Sequence, residues 1–288
     1  MAEKVRVFIG SGEASLLERK TLIYSLRKNS KRDLDIYVFN GTHDAIERND
    51  DKPVAAGLPL EIKYRNFTEF SNYRFIIPQI CGYEGRAIFV DSDTICLTDI
   101  GELFDTDMQG NQFLAKAEAY KGSGSWGLSV MLLDCAKARF DLPKYFREID
   151  EGKYTNTDLH QMTPGFLDHH PFKIGPIDPN WNSFDKHDEH TKLIHYTNLG
   201  TQPWKYPGHP YGELWFKYFN EARAAGVISN RDIDVTLSRA YARQDILRGN
   251  SPAGSGPSPH LHAASREPNR LKRKLKTLWG KIRGKRAA

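Results

Sequence analysis

The sequence predicts an α/β fold, one catalytic domain built on a sheet with flanking helices, and two observations carry that expectation. The first is the order of the opening segments: an apolar strand pattern at residues 5–9, a helical pattern over 14–29 and an alternating strand pattern at 34–39. The second is Ala87-Ile-Phe-Val90, an all-apolar run of the kind that fills a central strand covered on both faces. A chain of 288 residues with 39% apolar content is long enough for one substantial core, and residues 1–247 are read as that domain.

Taken in order, Val5-Arg-Val-Phe-Ile9 runs into Gly10-Ser-Gly12, a loop in which backbone approaches a ligand closely. In the helix that follows, Leu16, Leu22, Ile23 and Leu26 recur at near-helical intervals with basic residues in the last turn. Leu60-Glu-Ile62-Lys-Tyr64 alternates like a further strand, and Phe70–Cys81 reads as helical with an interruption at Pro78. Residues 130–133 and 193–194 are buried-strand candidates, the second ending at His195. Ligands of open α/β sheets collect beyond the carboxyl ends of the strands, so Gly10, Asp91 and His195 are expected to converge there.

Charge divides the chain unevenly. The formal net charge is +5, but nine Lys or Arg and no acid lie between Arg270 and Ala288, so the rest carries −4. Residues 248–268, rich in Gly, Pro, Ser and Ala, read as a flexible linker. Residues 269–288, with Leu271, Leu275, Leu278 and Ile282 at helical spacing, read as a basic amphipathic helix whose preferred partner is an anionic membrane surface. Nucleic acid ranks behind acidic lipid and is not an expected partner of the body. No signal or transit pattern opens the chain, and no apolar run approaches the ~18 residues of a membrane span. A cytoplasmic enzyme, peripheral on the cytoplasmic face of a membrane, is the expectation. Cys81, Cys96 and Cys135 sit in apolar company and read as small buried hydrophobes.

Two carboxylates one residue apart at a strand end can face one hard cation. The chain also holds Asp33-Leu-Asp35, Asp105-Thr-Asp107 and Asp232-Ile-Asp234, so spacing alone says little. Context singles out Asp91 and Asp93, because an apolar strand precedes them and Thr94-Ile-Cys-Leu97 follows, and unpaired carboxylates in such a place are costly without a cation. The same residues, Asp91-Ser-Asp93-Thr94, fit the nucleophile motif of haloacid-dehalogenase-type phosphatases. That motif normally opens its domain, whereas here residues 1–90 precede it. A zinc site at His187, His190 and His195 is the weaker alternative, since no cysteine accompanies them.

The segment Tyr73-Arg74, Pro78 and Arg86-Ala-Ile-Phe-Val-Asp-Ser-Asp-Thr94, followed by Leu193-Ile-His195-Tyr-Thr-Asn-Leu-Gly-Thr-Gln-Pro203-Trp204, resembles glycosyltransferase family 8. The resemblance covers residues 5–220 and implies a single GT-A domain, Rossmann-like, with a mixed, mostly parallel sheet flanked by helices. It also implies a UDP-sugar donor, Mn²⁺ or Mg²⁺, and hexose transfer with retention to a glycan or lipid-linked saccharide. By position, Asp91, Asp93 and His195 match the metal ligands; Ile9, Gly10, Ser11, Arg74 and Ser92 match donor contacts. Where the family carries Lys before Pro-Trp this chain has Gln202, and Lys205 is the residue placed to compensate. Asp158 is the candidate for orienting the sugar or relieving the acceptor of its proton, in a front-face reaction needing no protein nucleophile. The changes at Gln202, Thr157 and Gly127 leave one alternative open, an inactive nucleotide-sugar-binding membrane scaffold.

Overall fold

The computed structural model describes residues 3–61, 68–118 and 124–250. The opening is the one expected: strand β1 (Val5–Ser11), a short 3-10 turn at Glu13–Ser15, helix α1 (Leu16–Asn29) and strand β2 (Leu34–Asn40). Then come β3 (Ala45–Arg48), β4 (Val54–Ala55), a 3-10 turn at Tyr73–Ile76, α2 (Ile77–Ile80), β5 (Arg86–Asp91), β6 (Thr94–Cys96) and α3 (Gly101–Phe104). The second half holds β7 (Phe113–Glu118), β8 (Ser125–Asp134), α4 (Leu142–Asp150), α5 (Asn156–Gln161), α6 (Pro164–Leu167), β9 (Ile174–Pro176), β10 (Ser183–Phe184), β11 (Leu193–His195), α7 (Gly212–Ala224) and α8 (Asn230–Ser238).

Eight strands form one mixed sheet in the order β4-β3-β2-β1-β5-β8-β7-β9. The centre is parallel: β1 pairs with β2 on one side and β5 on the other, with Gly10 beside Asp91 and Ser11 beside Asn40. The β3–β4 ribbon and the β5–β8–β7 stretch are antiparallel, and β9 returns parallel to β7. Strands β10, β11 and β6 make a separate three-stranded sheet.

Period-two alternation explains how the sheet is covered. Val5, Val7 and Ile9 of β1 join Ile88 and Val90 of β5 against Leu22, Ile23 and Leu26 of α1. Phe8, Phe39 and Phe89 point the other way, into a core with Tyr73, Phe75 and Ile77. Each of these buried side chains contributes about 1.5–3 kcal/mol relative to exposure. A third cluster seats α7, through Trp215, Phe216 and Phe219, on Leu17, Ile194, Tyr196 and Trp204, and Trp181 is buried in the cluster on the α1 side of the sheet.

Two expectations come out differently. The expected helix over 70–81 is a 3-10 turn followed by four α-helical residues, because Pro78 has no N–H to continue a regular ladder. The strand expected at 60–64 does not begin at Leu60 or Glu61, where Leu60 N–H donates to Leu58 O in a tight turn; its remaining residues lie outside the described ones. The expected linker, from 251 on, and the basic helix of 269–288 also lie outside them.

Candidate active site

The site is built where the central sheet ends. Strand β5 delivers Asp91, the chain turns through Ser92 and Asp93, and β6 departs into the small sheet. The turn is pinned on both sides: Ser92 N–H donates to Gly10 O at 3.0 Å, and Thr94 Oγ1 donates to Asp91 O at 2.9 Å. Strand β11 lies antiparallel to β6 with His195 opposite Thr94, and Tyr196 N–H donates to Asp93 O at 3.0 Å. A residue about 100 positions downstream is thereby locked against the turn.

Ligand atoms of Asp91, Asp93 and His195 all lie within 4.8 Å of one another, the one such group of histidine, cysteine and acid side chains among the described residues. His195 Nδ1 faces the Oδ1 of Asn182 at 3.0 Å, so the ring proton belongs on that nitrogen, and Nε2 faces Asp93 Oδ1 at 3.0 Å. Asp93 Oδ1 is buried, and with the ring proton on Nδ1 it receives no hydrogen bond. Two lone pairs that close need a positive centre between them, either a proton or a cation.

The electrostatics agree. Burial pushes the Asp91 carboxyl up to about 6, helped by the charge of Asp93, although Arg74 and His195 pull it back. Burial pulls His195 down, but Asp93 and Asp91 more than offset that and leave it raised. A divalent ion fits this donor set: two carboxylates and an imidazole suit Mn²⁺ or Mg²⁺, whose ligands at about 2.1 Å stand roughly 3–4 Å apart. Asp93 Oδ1 gains the partner it lacks.

Around the cluster, the expected donor residues take distinct places. Arg74 is buried; its guanidinium stands 3.5 Å from Asp91 Oδ1 and 4.7 Å over the Phe89 ring, and its Nε has no hydrogen-bond acceptor. Gln202 is also buried and donates through Nε2 to Tyr196 O at 3.0 Å and Asp93 Oδ2 at 3.3 Å, so the residue replacing the family's lysine braces the second aspartate. Gly10 cannot carry a side chain here, since a Cβ would come within 2.5 Å of Phe70 and 2.8 Å of Phe89. Ser11 and Ser92 are buried beside it. Ile9 is wholly buried, its side chain packed in the core cluster that includes Leu22, Ile23 and Leu26 of α1.

Asp158 has a different occupation from the one expected. One oxygen accepts from Thr155 N–H at 2.8 Å and Thr155 Oγ1 at 2.6 Å, and the other accepts from Thr163 Oγ1 at 2.6 Å, which makes it the closing residue of the α5 capping box. Burial would raise this carboxyl, but those bonds hold it below its ordinary value, a poor starting point for a base. His187 packs on Tyr211 and His190 pairs with exposed Glu189, so neither joins His195 in the zinc arrangement.

Three residues unremarked in the sequence belong to the surroundings. Glu18, in the first turn of α1, is buried; burial lifts its carboxyl to about 8, with Lys205 and Arg19 lowering it and Asp93 raising it. Lys205 is half-buried, and its N–H donates to Gln202 O at 2.9 Å. His160 is held neutral, its pKa lowered to about 3 by burial and by Arg74. Asn182 is fully buried beside His195. A buried acid in an amphipathic helix was the one available signal for Glu18; nothing in the spacing points to the other two.

The family model described as glycosyl transferase family 8 matches residues 8–154. Among solved structures, the galactosyltransferase LgtC, in complex with donor and acceptor sugar analogues, shares 15% identity over 75% of this chain and 95% of its own, with a TM-score of 0.53. The glycosyltransferase GlyE of Streptococcus pneumoniae shares 16% identity over 88% of this chain and 67% of its own, with a TM-score of 0.54. In sequence, Protein CDI of Arabidopsis thaliana is 26% identical over 179 residues, 54% of this chain and 65% of that protein, so the match spans under two thirds of that relative. The chain belongs to glycosyltransferase family 8 and is a glycosyltransferase of GT-A fold.

Proposed function

We propose that this enzyme transfers a hexose from a UDP-sugar, with retention, to a glycan or lipid-linked saccharide, and that Asp91, Asp93 and His195 hold the Mn²⁺ or Mg²⁺ it uses. The observation that carries the reading is the convergence of two carboxylates and an imidazole within 4.8 Å, with buried Asp93 Oδ1 facing His195 Nε2 at 3.0 Å, at the strand ends where this fold binds ligands. The donor and acceptor analogues of the LgtC complex support a nucleotide-sugar donor and a sugar acceptor.

When bound, the cation neutralises charge that grows on the departing diphosphate. The chain's own residues do the rest. Gly10 lets β1 pack against the rings of Phe70 and Phe89 beside Asp91, and buried Arg74, with an unused N–H, donates to a phosphate or sugar oxygen beside Asp91 in this reading. Gln202 fixes the Asp93 rotamer, and Lys205, one turn further on, supplies the positive charge that Gln202 does not. Asp158 acts by fixing the start of α5.

Among the described residues no helix is long and apolar enough to cross a membrane. The basic sequence 269–288 supports attachment to an anionic cytoplasmic membrane face. Deleting it is expected to abolish co-sedimentation with anionic vesicles while leaving donor hydrolysis unchanged; retained sedimentation overturns the attachment.

The test of the main reading is UDP release from a panel of nucleotide sugars with Mn²⁺, with Mg²⁺ and with EDTA, together with the anomeric configuration of the product by NMR. Turnover of one UDP-sugar that EDTA abolishes is expected. Turnover indifferent to EDTA, or confined to donors of another nucleotide, refutes it.

A further inference from the structure

Resting on the cation reading above, we infer that Asn182, set by Ser129 and Lys116, is a positioning residue that decides which nitrogen of His195 faces Asp91 and Asp93. Asn182 ends the 3-10 turn Pro179–Asn182 and is 0% exposed. The turn is fixed at its start by Asp178, whose carboxylate accepts from Asn180 N–H at 3.0 Å. At its end, the Asn182 carbonyl accepts from Lys116 Nζ at 2.9 Å. The next residues form β10, parallel to β11, with Phe184 opposite His195 and its ring edge-on to the imidazole at 5.5 Å. Backbone and ring plane are therefore set before the amide is considered.

The amide itself is held at both ends. Its nitrogen donates to Ser129 Oγ on β8 at 2.9 Å, and its oxygen lies 3.0 Å from His195 Nδ1. An amide offers donors at one end and acceptors at the other. With the nitrogen turned to Ser129, the oxygen can only accept, and it draws the imidazole proton onto Nδ1. Free imidazole side chains favour the proton on Nε2, and a ring protonated there cannot ligate through that atom. Asn182 reverses the preference, so Nε2 meets Asp93 as a lone pair. Ser129 holds the far end of the amide in place; were the amide turned over, Nε2–H would donate to Asp93 and the carboxylate would be satisfied without any ion. Three segments distant in sequence, β8, the 3-10 turn and β11, thus set one proton's place.

The test uses the full-length protein and three variants: Asn182→Leu, which keeps the shape and loses both ends of the amide; Asn182→Asp, which keeps the acceptor; and Ser129→Ala. Ring ¹⁵N shifts of His195 are read in metal-free protein at about pH 9, above the ordinary imidazole range. Mn²⁺ affinity is read separately from the EPR signal of the free ion. The wild type is expected to carry the proton on Nδ1 and Asn182→Leu on Nε2, with Mn²⁺ binding weakened about 10–100-fold. Asn182→Asp is expected to bind Mn²⁺ at least as well as wild type, which a merely structural role for the amide does not predict, and Ser129→Ala to show a smaller loss than Asn182→Leu. A wild-type proton on Nε2, or an unchanged proton position in Asn182→Leu, overturns the inference; should Asn182→Leu fail to fold, an Asn182→Asp variant that binds Mn²⁺ more weakly than wild type does so. If the proton positions are as expected and the wild type binds no Mn²⁺, the positioning role stands and the cation reading falls.

Discussion

The N-termini of α5 and α8 and the turn after β5 use the same side chain to opposite ends. In the two helices, aspartate closes a capping box: Asp158 accepts from Thr155 and Thr163, and Asp232 accepts from Ser229 N–H and Oγ and from Lys20 Nζ, each at 2.7 Å. Both carboxyls lie below their ordinary values: burial opposes this, but the bonds outweigh it. In the turn, Asp91 is raised by burial, and buried Asp93 Oδ1 faces the imidazole of His195 in place of a capping hydroxyl or backbone N–H. A carboxylate that folding has saturated is scaffold. One that folding has buried and left short of partners is a receptor for something the chain does not supply.

The comparison is most exposed at Asp93. Asp93→Asn is expected to abolish Mn²⁺ binding and to slow transfer at least ~100-fold, about 3 kcal/mol, while the Tm in EDTA stays level or rises because a poorly satisfied buried charge is gone. A fall in Tm of several degrees in EDTA would make the carboxylate a structural one and collapse the distinction. The capping boxes are expected to behave conversely. Thr155→Ala and Ser229→Ala should each lower stability in denaturant melts by about 1 kcal/mol and leave Mn²⁺ affinity unchanged.

Glu148 sharpens the contrast with pH. Burial would raise this carboxyl, but hydrogen bonds from His170 and Tyr154 bring it from 4.5 to about 2. Its folded value lies below its ordinary one, so the stability it contributes is present above pH 4.5 and is lost as pH falls towards 2. Tm measured across that window should fall more steeply in the wild type than in Glu148→Gln. Equal slopes would mean the pair is not coupled to folding. The smallest effect is expected at Gln202, whose bond to Asp93 is one neutral–charged contact of 3.3 Å; Gln202→Ala should weaken Mn²⁺ binding by about 0.5–1.5 kcal/mol, roughly tenfold at most.

How legible these regions were in the sequence follows the range of the forces that make them. Asp91 and Asp93 stood out because charge interrupts an apolar strand, a signal contained within ten residues, and His195 because it ends another. Strands β1, β2 and β5 and helix α1 were legible from periodicity for the same reason. The β3–β4 ribbon was not: four and two residues are too few to show alternation, and the ribbon is stabilised by pairing to β2. β8 runs ten residues, yet only its apolar end, 130–133, announced a strand, since Ser125–Ser129 takes its conformation from its neighbours. Asp158 shows the reverse failure. Its sequence context only loosely resembled a segment near the reacting sugar, while Thr155 three residues earlier made a good capping box. Asn182 and Ser129 carry no local mark at all, because their meaning lies in contacts that span 13 and 53 residues.

The most direct test of the account is the position of the ion itself: an anomalous difference map from crystals grown with Mn²⁺ and UDP. The account predicts one strong peak at about 2.1–2.3 Å from Asp91, Asp93 and His195 Nε2, with the diphosphate completing its shell. A diphosphate bound at the strand ends with no peak among these three side chains, or a peak held elsewhere, would contradict it.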